Sequence, residues 1–200
     1  MNKLLMILVL LLFTVGFGMI MYSVKEIEIH KYEEKEALAQ AKEAIKEDEP
    51  NESVDSVSIQ PRTVNYEFEK GDTIGILNIP KLKKELPIIE GTNADELKKG
   101  VGHHSSTKLP EQNDQIFLAG HRDSVFRNIG ELENGDTLSI VLKLGTYRYE
   151  IFNMYVVDEH DLTVIRSTNP QEILTLSTCY PFNIIGPSSE RYIIEAKRLH

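Results

Sequence analysis

The sequence predicts a mainly β domain, either a closed barrel or a sandwich, behind an N-terminal membrane-spanning helix. The first observation is an uncharged apolar run at residues 4–22. The second is a change at about Tyr66 to short apolar segments separated by Gly, Pro and Asn-Asp clusters. The third is the number of these segments, because seven or eight short strands with few helices are typical of barrels and sandwiches.

Length, charge and cysteine content exclude several kinds of protein. The chain has 200 residues, enough for one globular domain with an appendage. Its formal net charge of -9 argues against nucleic acid as a partner, because phosphate backbones are bound by Lys and Arg. The single cysteine, Cys179, leaves no intramolecular disulfide and no cysteine-based zinc cluster.

Residues 1–24 are predicted to be a transmembrane signal anchor. About nineteen apolar residues with a rise of 1.5 Å each span the ~30 Å hydrocarbon core of a bilayer. The run is longer than that of a cleavable signal peptide, and no small-x-small cleavage site follows it before Lys25. Lys3 lies before the span, and Lys25 and Lys31 lie after it. This near balance only leans towards an outside C-terminal domain.

Residues 25–49 are predicted to form a charged helical stalk, and residues 50–65 a linker. The stalk is rich in Glu, Lys, Ala and Gln, which favour helix. Leu38, Ala41 and Ile45 form a thin apolar stripe at helical spacing. Because the stripe is short and alanine-rich, a solvated helix is favoured over a coiled coil. The linker is polar and has no hydrophobic periodicity.

The globular domain is assigned to residues 66–200, and seven of its apolar segments are predicted to be strands. These segments are residues 74–79, 86–89, 115–119, 137–142, 147–157, 173–178 and 191–196. Residues 144–146 indicate a hairpin turn. A short helix is expected from a cap at Asn93, or at the threonine before it, to Gly100. A second helix is expected at residues 125–132.

Cys179 directly follows the predicted strand at residues 173–178. Pro181 stops this strand, because proline donates no backbone hydrogen bond and restricts Tyr180 before it. Loops at the ends of strands often hold reactive side chains. A lone cysteine is nevertheless more often a small buried hydrophobe, so its neighbours must decide its role.

A nucleophilic cysteine needs a base or a positive neighbour, because a thiol of pKa ~8.5 is mostly protonated at neutral pH. Among six histidines, His121 is the best placed. It follows the predicted strand at residues 115–119 and one glycine, so it occupies the same kind of strand end as Cys179. His104 is the next candidate, on a loop expected to hold His103 as well.

Attack on a carbonyl also needs a hydrogen-bond donor for the oxyanion that forms. Arg191 opens the last predicted strand, after the loop that follows Tyr180. It lies close to Cys179 if the two strands pair as neighbours. Without that pairing, a surface charge is the simpler interpretation.

Three short motifs surround these residues. TLSTC at residues 175–179 matches the T-L-x-T-C signature of sortases, the membrane-anchored cysteine transpeptidases of Gram-positive bacteria. AGHR at residues 119–122 resembles the family's histidine motif, and ERYII at residues 190–194 resembles its arginine strand. The continuation CYPF at residues 179–182 looks most like class D.

The resemblance implies an eight-stranded closed β-barrel with a Cys-His-Arg site. Cys179 would be the nucleophile that attacks the carbonyl after the threonine of an LPxTG-like sorting signal, giving a thioacyl-enzyme. His121 would be the general acid and base, and Arg191 would stabilise the oxyanion and the substrate. Leu118 and Thr178 would help to line the substrate groove.

The resemblance also implies partners and a location. The substrates would be surface proteins with a C-terminal LPxTG-like signal, and the acceptor a peptidoglycan or lipid II amine. The enzyme would be a single-pass membrane protein with a cytoplasmic N-terminus and an extracellular catalytic domain. No metal or organic cofactor is expected. Calcium activation stays open, because of scattered carboxylates. These are Glu131, Glu133, Asp158 and Asp161.

Two alternatives remain at this point. A hydrolytic cysteine peptidase that releases surface proteins would share the thioacyl step and differ only in whether water or an amine resolves it. A non-catalytic membrane-anchored barrel that binds wall peptides would work without the Cys179 thiol.

Overall fold

Eight β-strands form a closed barrel in the part of the chain that the structure, a computed structural model, describes. The described residues are 3–46, 66–184 and 186–199, so the predicted linker at residues 50–65 lies outside them. The strands are β1 (Thr73–Ile79), β2 (Lys84–Glu90), β3 (Val101–His103), β4 (Gln115–Ala119), β5 (Thr137–Leu142), β6 (Gly145–Asp158), β7 (Ile173–Tyr180) and β8 (Glu190–Leu199). The helices are α1 (Lys3–Lys46) and α2 (Ala94–Lys99), with single 3-10 turns at Pro80–Leu82, Ile129–Glu131 and Leu162–Val164.

Around the barrel the strand order is β1-β2-β3-β4-β7-β8-β6-β5. The β2–β3 and β4–β7 pairs are parallel, and the other pairs are antiparallel. The closed barrel with short helices confirms the predicted fold class. Its topology places the C-terminal ends of β4 and β7 side by side.

Three local predictions differ from the structure. His103, expected on a loop with His104, is the last residue of β3, because β2 and β4 provide backbone partners on both sides of that strand. The β5–β6 turn is Lys143-Leu144 and not residues 144–146, since Leu142 pairs with Gly145. The helix expected at residues 125–132 is only the 3-10 turn at Ile129–Glu131, because Asn128 before it adopts a left-handed conformation with φ of 67°.

Helix α1 is continuous over the predicted anchor and stalk. Its apolar side chains are exposed between Met6 and Tyr22, and the helix is long and apolar enough to cross a membrane. Its last turns contact β1, β2 and α2, where Ala37 and Ala41 are buried. Lys42 forms an ion pair with Glu85. The apolar stripe that includes Ala41 therefore faces the barrel. The stalk was expected to be solvated, but its C-terminal end is partly buried.

Two hydrophobic clusters lie on opposite faces of the β4–β7–β8–β6 wall. The inner cluster fills the barrel and includes Leu118, Leu176 and Ile194. The outer cluster contains Phe117, Val164 and Ile193. Because side chains alternate along a strand, Phe117 and Ile193 face outward where their neighbours face the core. Val164 comes from the β6–β7 connection, which therefore covers part of the outer face.

Candidate active site

Cys179 and Arg191 lie side by side on β7 and β8, and His121 follows the end of β4 on the other side of β7, so the three residues form a row over adjacent segments. Cys179 pairs directly with Arg191 in the antiparallel β7–β8 ladder. Ala119 pairs with Ser177 in the parallel β4–β7 ladder. His121 lies two residues beyond Ala119, as Cys179 lies two beyond Ser177, so the histidine reaches the level of the cysteine. The structure thus brings together the three residues that the sequence singled out.

Cys179 and Arg191 belong to the outward-facing set of side chains. Leu176 and Ile194 point into the barrel, so Ser177 and Ile193 next to them point outward. Cys179 and Arg191 are each two residues from these outward positions and share their face. Cys179 and Arg191 are partly buried, and His121, just beyond the end of β4, is exposed. A substrate can therefore reach this row from solvent.

The backbone around Gly120 fastens His121 to the cysteine strand. The Gly120 N–H donates to the Ser177 carbonyl at 3.1 Å, and the Thr178 hydroxyl donates to the Gly120 carbonyl at 2.7 Å. A Cβ at position 120 would lie 2.7 Å from the side chains of Val125 and Phe126. The turn after β4 therefore packs so closely on these two core residues that only glycine fits.

Arg191 is held at the end of β8 by its own segment and by the start of the β6–β7 connection. Its Nη1 donates to the carbonyls of Ser188 at 2.9 Å and Glu190 at 3.0 Å, and its Nη2 donates to the Glu159 carboxylate at 3.1 Å. Among the described residues these bonds use three of the five guanidinium donors. Two donors remain for a ligand beside Cys179.

The β6–β7 connection is pinned above the outer face by buried polar groups. The Gln115 amide donates to the Val164 carbonyl at 2.8 Å and accepts from the Arg166 N–H at 2.9 Å. The Arg166 guanidinium donates to the buried Glu195 carboxylate at 2.8 Å. These contacts fix the β6–β7 connection against the outer face of the wall that carries Cys179.

The other histidine candidates are used elsewhere. His103 is buried in β3, with Nδ1 2.6 Å from the Glu90 carboxylate and Nε2 3.0 Å from the Lys108 carbonyl. Burial alone would raise the pKa of Glu90, but the hydrogen bond from His103 and smaller contributions lower it below its usual value. His104 packs edge-on against Phe117, which pairs with Thr175, four residues before Cys179. Of the histidine candidates, His121 is the one whose segment is hydrogen-bonded to the cysteine strand, through Gly120.

The two residues expected to line a groove lie inside the wall. Leu118 is fully buried in the inner cluster, so the expectation that it faces substrate is corrected: alternation along β4 turns it into the barrel. Thr178 is also buried, and its hydroxyl is used by the Gly120 carbonyl. Their outward neighbours on the same strands are Ala119, which is partly buried, and Ser177, which is buried.

The carboxylates considered for calcium have other contacts or lie apart. Glu133 accepts from Lys81, and Asp161 caps the 3-10 turn at Leu162–Val164 by accepting from the Thr163 N–H. Within residues 3–46, 66–184 and 186–199, no group of three or more His, Cys, Asp or Glu side chains is arranged to hold a metal ion.

Comparisons with known proteins agree with this fold and row of residues. A family model described as the Sortase domain matches residues 77–199. The chain is 44% identical over 165 residues to Sortase D of Bacillus subtilis (strain 168), covering 82% of this chain and 83% of that protein. A structure of the Sortase D5 transpeptidase of Clostridium perfringens superposes with a TM-score of 0.69 at 28% identity, over 84% of this chain and 99% of the other. Sortase C of Clostridium perfringens SM101 gives a TM-score of 0.60 at 25% identity, over 88% and 90%.

A closed eight-stranded barrel with a cysteine at the end of β7 defines a class of cysteine transpeptidase, and the chain belongs to the sortase family. Within that family its similarity to Sortase D confirms the class D-like prediction. The chain is therefore a sortase transpeptidase. Family membership decides against a non-catalytic wall-peptide-binding barrel.

Proposed function

We propose that Cys179, His121 and Arg191 are the catalytic residues and that the substrate is an LPxTG-like sorting signal cut after its threonine. The observation that carries this proposal is the ladder register, which sets Arg191 opposite Cys179, together with the pairing of β4 and β7, which supports His121, two residues after β4, as the acid-base group. Nucleophile, acid-base group and oxyanion donor then stand within one site.

In the first half-reaction the Cys179 sulfur attacks the threonine carbonyl carbon. The carbonyl oxygen becomes an oxyanion, which accepts hydrogen bonds from the free donors of Arg191. When the intermediate collapses, the peptide C–N bond breaks and His121 protonates the leaving amine. The products are a thioester on Cys179 and the released C-terminal fragment.

In the second half-reaction an acceptor amine attacks the thioester carbonyl. His121 removes a proton from the incoming amine, the C–S bond breaks, and the Cys179 thiolate is restored. The acceptor is a peptidoglycan cross-bridge or lipid II amine, so the product is a surface protein fixed to the wall. The three side chains supply the groups this reaction needs, so we propose that it requires no metal or organic cofactor.

The proposed location follows from α1. Its exposed apolar run supports a single-pass anchor, with a cytoplasmic N-terminus and an extracellular barrel. Surface proteins with a C-terminal sorting signal would then be captured on the side of the membrane where they emerge.

Intact-mass spectrometry on the full chain in detergent tests the proposal. Incubation with an LPxTG-like peptide should add the mass of its N-terminal fragment to the wild type and not to Cys179→Ala. Added triglycine should then receive that fragment. Release of the free acid alone, even with the amine present, would favour hydrolysis, and a Cys179→Ala variant that still makes product would overturn the assignment. EDTA should leave the rate unchanged.

A further inference from the structure

Arg122, next to His121, spans from the histidine segment to the loop that follows Cys179. The residues of this loop that the structure describes, 181–184 and 186–189, are called the β7–β8 loop below. Arg122 Nη1 donates to the Pro181 carbonyl at 3.0 Å, and its Nη2 donates to the Gly186 carbonyl at 2.6 Å. One guanidinium therefore joins two separate points of the β7–β8 loop.

This contact lies close in sequence to both Cys179 and His121. Pro181 lies two residues after Cys179, and Arg122 lies one residue after His121. Before this point β4 and β7 are joined by the ladder and by the bonds of Gly120. Beyond it, Arg122 continues the connection past the strand ends, where no ladder is available.

The rest of the β7–β8 loop is folded back onto the barrel. The Phe182 ring packs so closely on Gly130 that a Cβ there would lie 2.5 Å from it. Phe182 also packs edge-on against Tyr180 at 5.3 Å and against Tyr192 at 5.1 Å between ring centroids. The Ser188 hydroxyl donates to the Tyr180 carbonyl. The loop thus has a defined shape, and Arg122 supplies two of the polar contacts that keep it.

We propose that Arg122 is a positioning residue that holds the β7–β8 loop and thereby the alignment of Cys179 with His121. This inference rests on the catalytic roles proposed above. Arginine suits the task because its planar fork presents two donors in fixed directions, whereas lysine offers one compact ammonium. A misplacement of about 1 Å at a reacting centre can cost on the order of 100-fold in rate.

The test compares Arg122→Met and Arg122→Lys with a matched control. Arg127 lies on the same connection, but its Nε and Nη2 donate to the carbonyl of Asp123 within its own turn. In the full-length protein we expect Arg122→Met to lower the rate of Cys179 acylation by about tenfold or more. Arg122→Lys should lower the acylation rate less, by about threefold, because the single ammonium can still donate to one of the two carbonyls. Arg127→Met should acylate as the wild type does.

A second readout separates positioning from general destabilisation. Hydrogen exchange should become faster in the β7–β8 loop of Arg122→Met and stay unchanged in β1 and β5, and millimolar guanidinium should restore part of the acylation rate to Arg122→Ala. If Arg122→Met does not fold, the acylation rate of Arg122→Lys and the hydrogen exchange of its β7–β8 loop test the inference. Wild-type acylation and loop exchange in the Arg122 variants would overturn the inference. Product formation by Cys179→Ala would instead overturn the proposed function. The hydrogen-exchange data would still test whether Arg122 holds the β7–β8 loop.

Discussion

Arg191 lies directly opposite Cys179 across the β7–β8 ladder, and its guanidinium is held by the Glu159 carboxylate at 3.1 Å. Directly opposed residues share a sheet face, with Cβ atoms roughly 5 Å apart. The proposed oxyanion donor is therefore anchored from the β6–β7 connection, not by the strand that carries the nucleophile.

The first prediction concerns Arg191 itself. Arg191→Ala should lower kcat/KM by roughly 100- to 1000-fold, the range found when a single oxyanion donor is removed. Arg191→Lys should recover only part of this loss, because an ammonium cannot reproduce the guanidinium fork. Transfer of a fluorescent sorting peptide to triglycine measures the effect. The exposed Arg148 on β6 gives a control, and an Arg148→Ala variant as slow as Arg191→Ala would count against a specific role.

The second prediction concerns Glu159. Glu159→Gln keeps the size of the side chain but removes the charge that holds Arg191, so we expect kcat/KM to fall by about threefold. In an Arg191→Ala background the same substitution should change nothing further, because its partner is gone. A double-mutant cycle on transfer rates measures the coupling. Equal effects of Glu159→Gln in both backgrounds would show that the ion pair does not act through Arg191.

The third prediction concerns Gly120. Gly120→Ala would place a methyl group 2.7 Å from Val125 and Phe126. Overpacking of this kind costs about 1–3 kcal/mol, and the turn that carries His121 must shift. Thermal melting should show a lower midpoint, and transfer activity measured well below that temperature should also fall. A variant with normal activity despite a lowered melting point would mean that the shift does not reach His121.

The fourth prediction concerns the buried Gln115 amide. Gln115→Leu would leave the Val164 carbonyl and the Arg166 N–H without their partner, at a cost of roughly 1–3 kcal/mol for the buried Val164 carbonyl. The loop over the outer face should loosen, which raises KM for the sorting peptide more than it lowers kcat. Steady-state kinetics across peptide concentrations test this. A pure kcat effect would contradict a role of the loop in substrate binding.

The fifth prediction concerns pH and the buried pair of Glu90 and His103. The pKa of Glu90 is lower in the folded protein than its ordinary value of 4.5, because burial, which raises it, is outweighed by the hydrogen bonds from His103 and Ser105 and the nearby histidines together. The folded state then binds fewer protons than the unfolded state. The contribution of Glu90 is present above about pH 5 and is lost as the pH falls through the folded-state pKa. The melting temperature of Glu90→Gln should therefore depend less on pH in this acidic range than that of the wild type.

The sequence allowed the longer strands to be predicted because their side chains carry a clear pattern. Gln115–Ala119 and Thr137–Leu142 were expected with the same boundaries as in the structure. β3 could not be predicted, because three residues around a central glycine have no periodicity and the strand forms only between β2 and β4. Local pattern predicts a strand, but not the partners that make a short segment into one.

The candidate site, too, could be predicted from the sequence only in part. Cys179 and His121 could be singled out because each follows a patterned strand, and strand ends converge at one end of a barrel. The contacts of Glu159 and Arg122 could not be foreseen. They join residues 32 to 64 positions apart through connections whose shape depends on the whole fold. Such loop contacts leave no signal in hydrophobic periodicity.

The continuous α1 helix sets a stand-off distance for the enzyme. The apolar run ends at Tyr22, and Ala37 has the first buried side chain that the structure describes in α1. These two residues are fifteen positions apart, which is about 22 Å of helix. On the proposed topology, this helical segment is a short, stiff spacer. It keeps the active site within a thin layer above the lipid headgroups. A sorting signal that has just crossed the bilayer lies within that layer, whereas one that has moved far into the wall lies beyond the enzyme's reach.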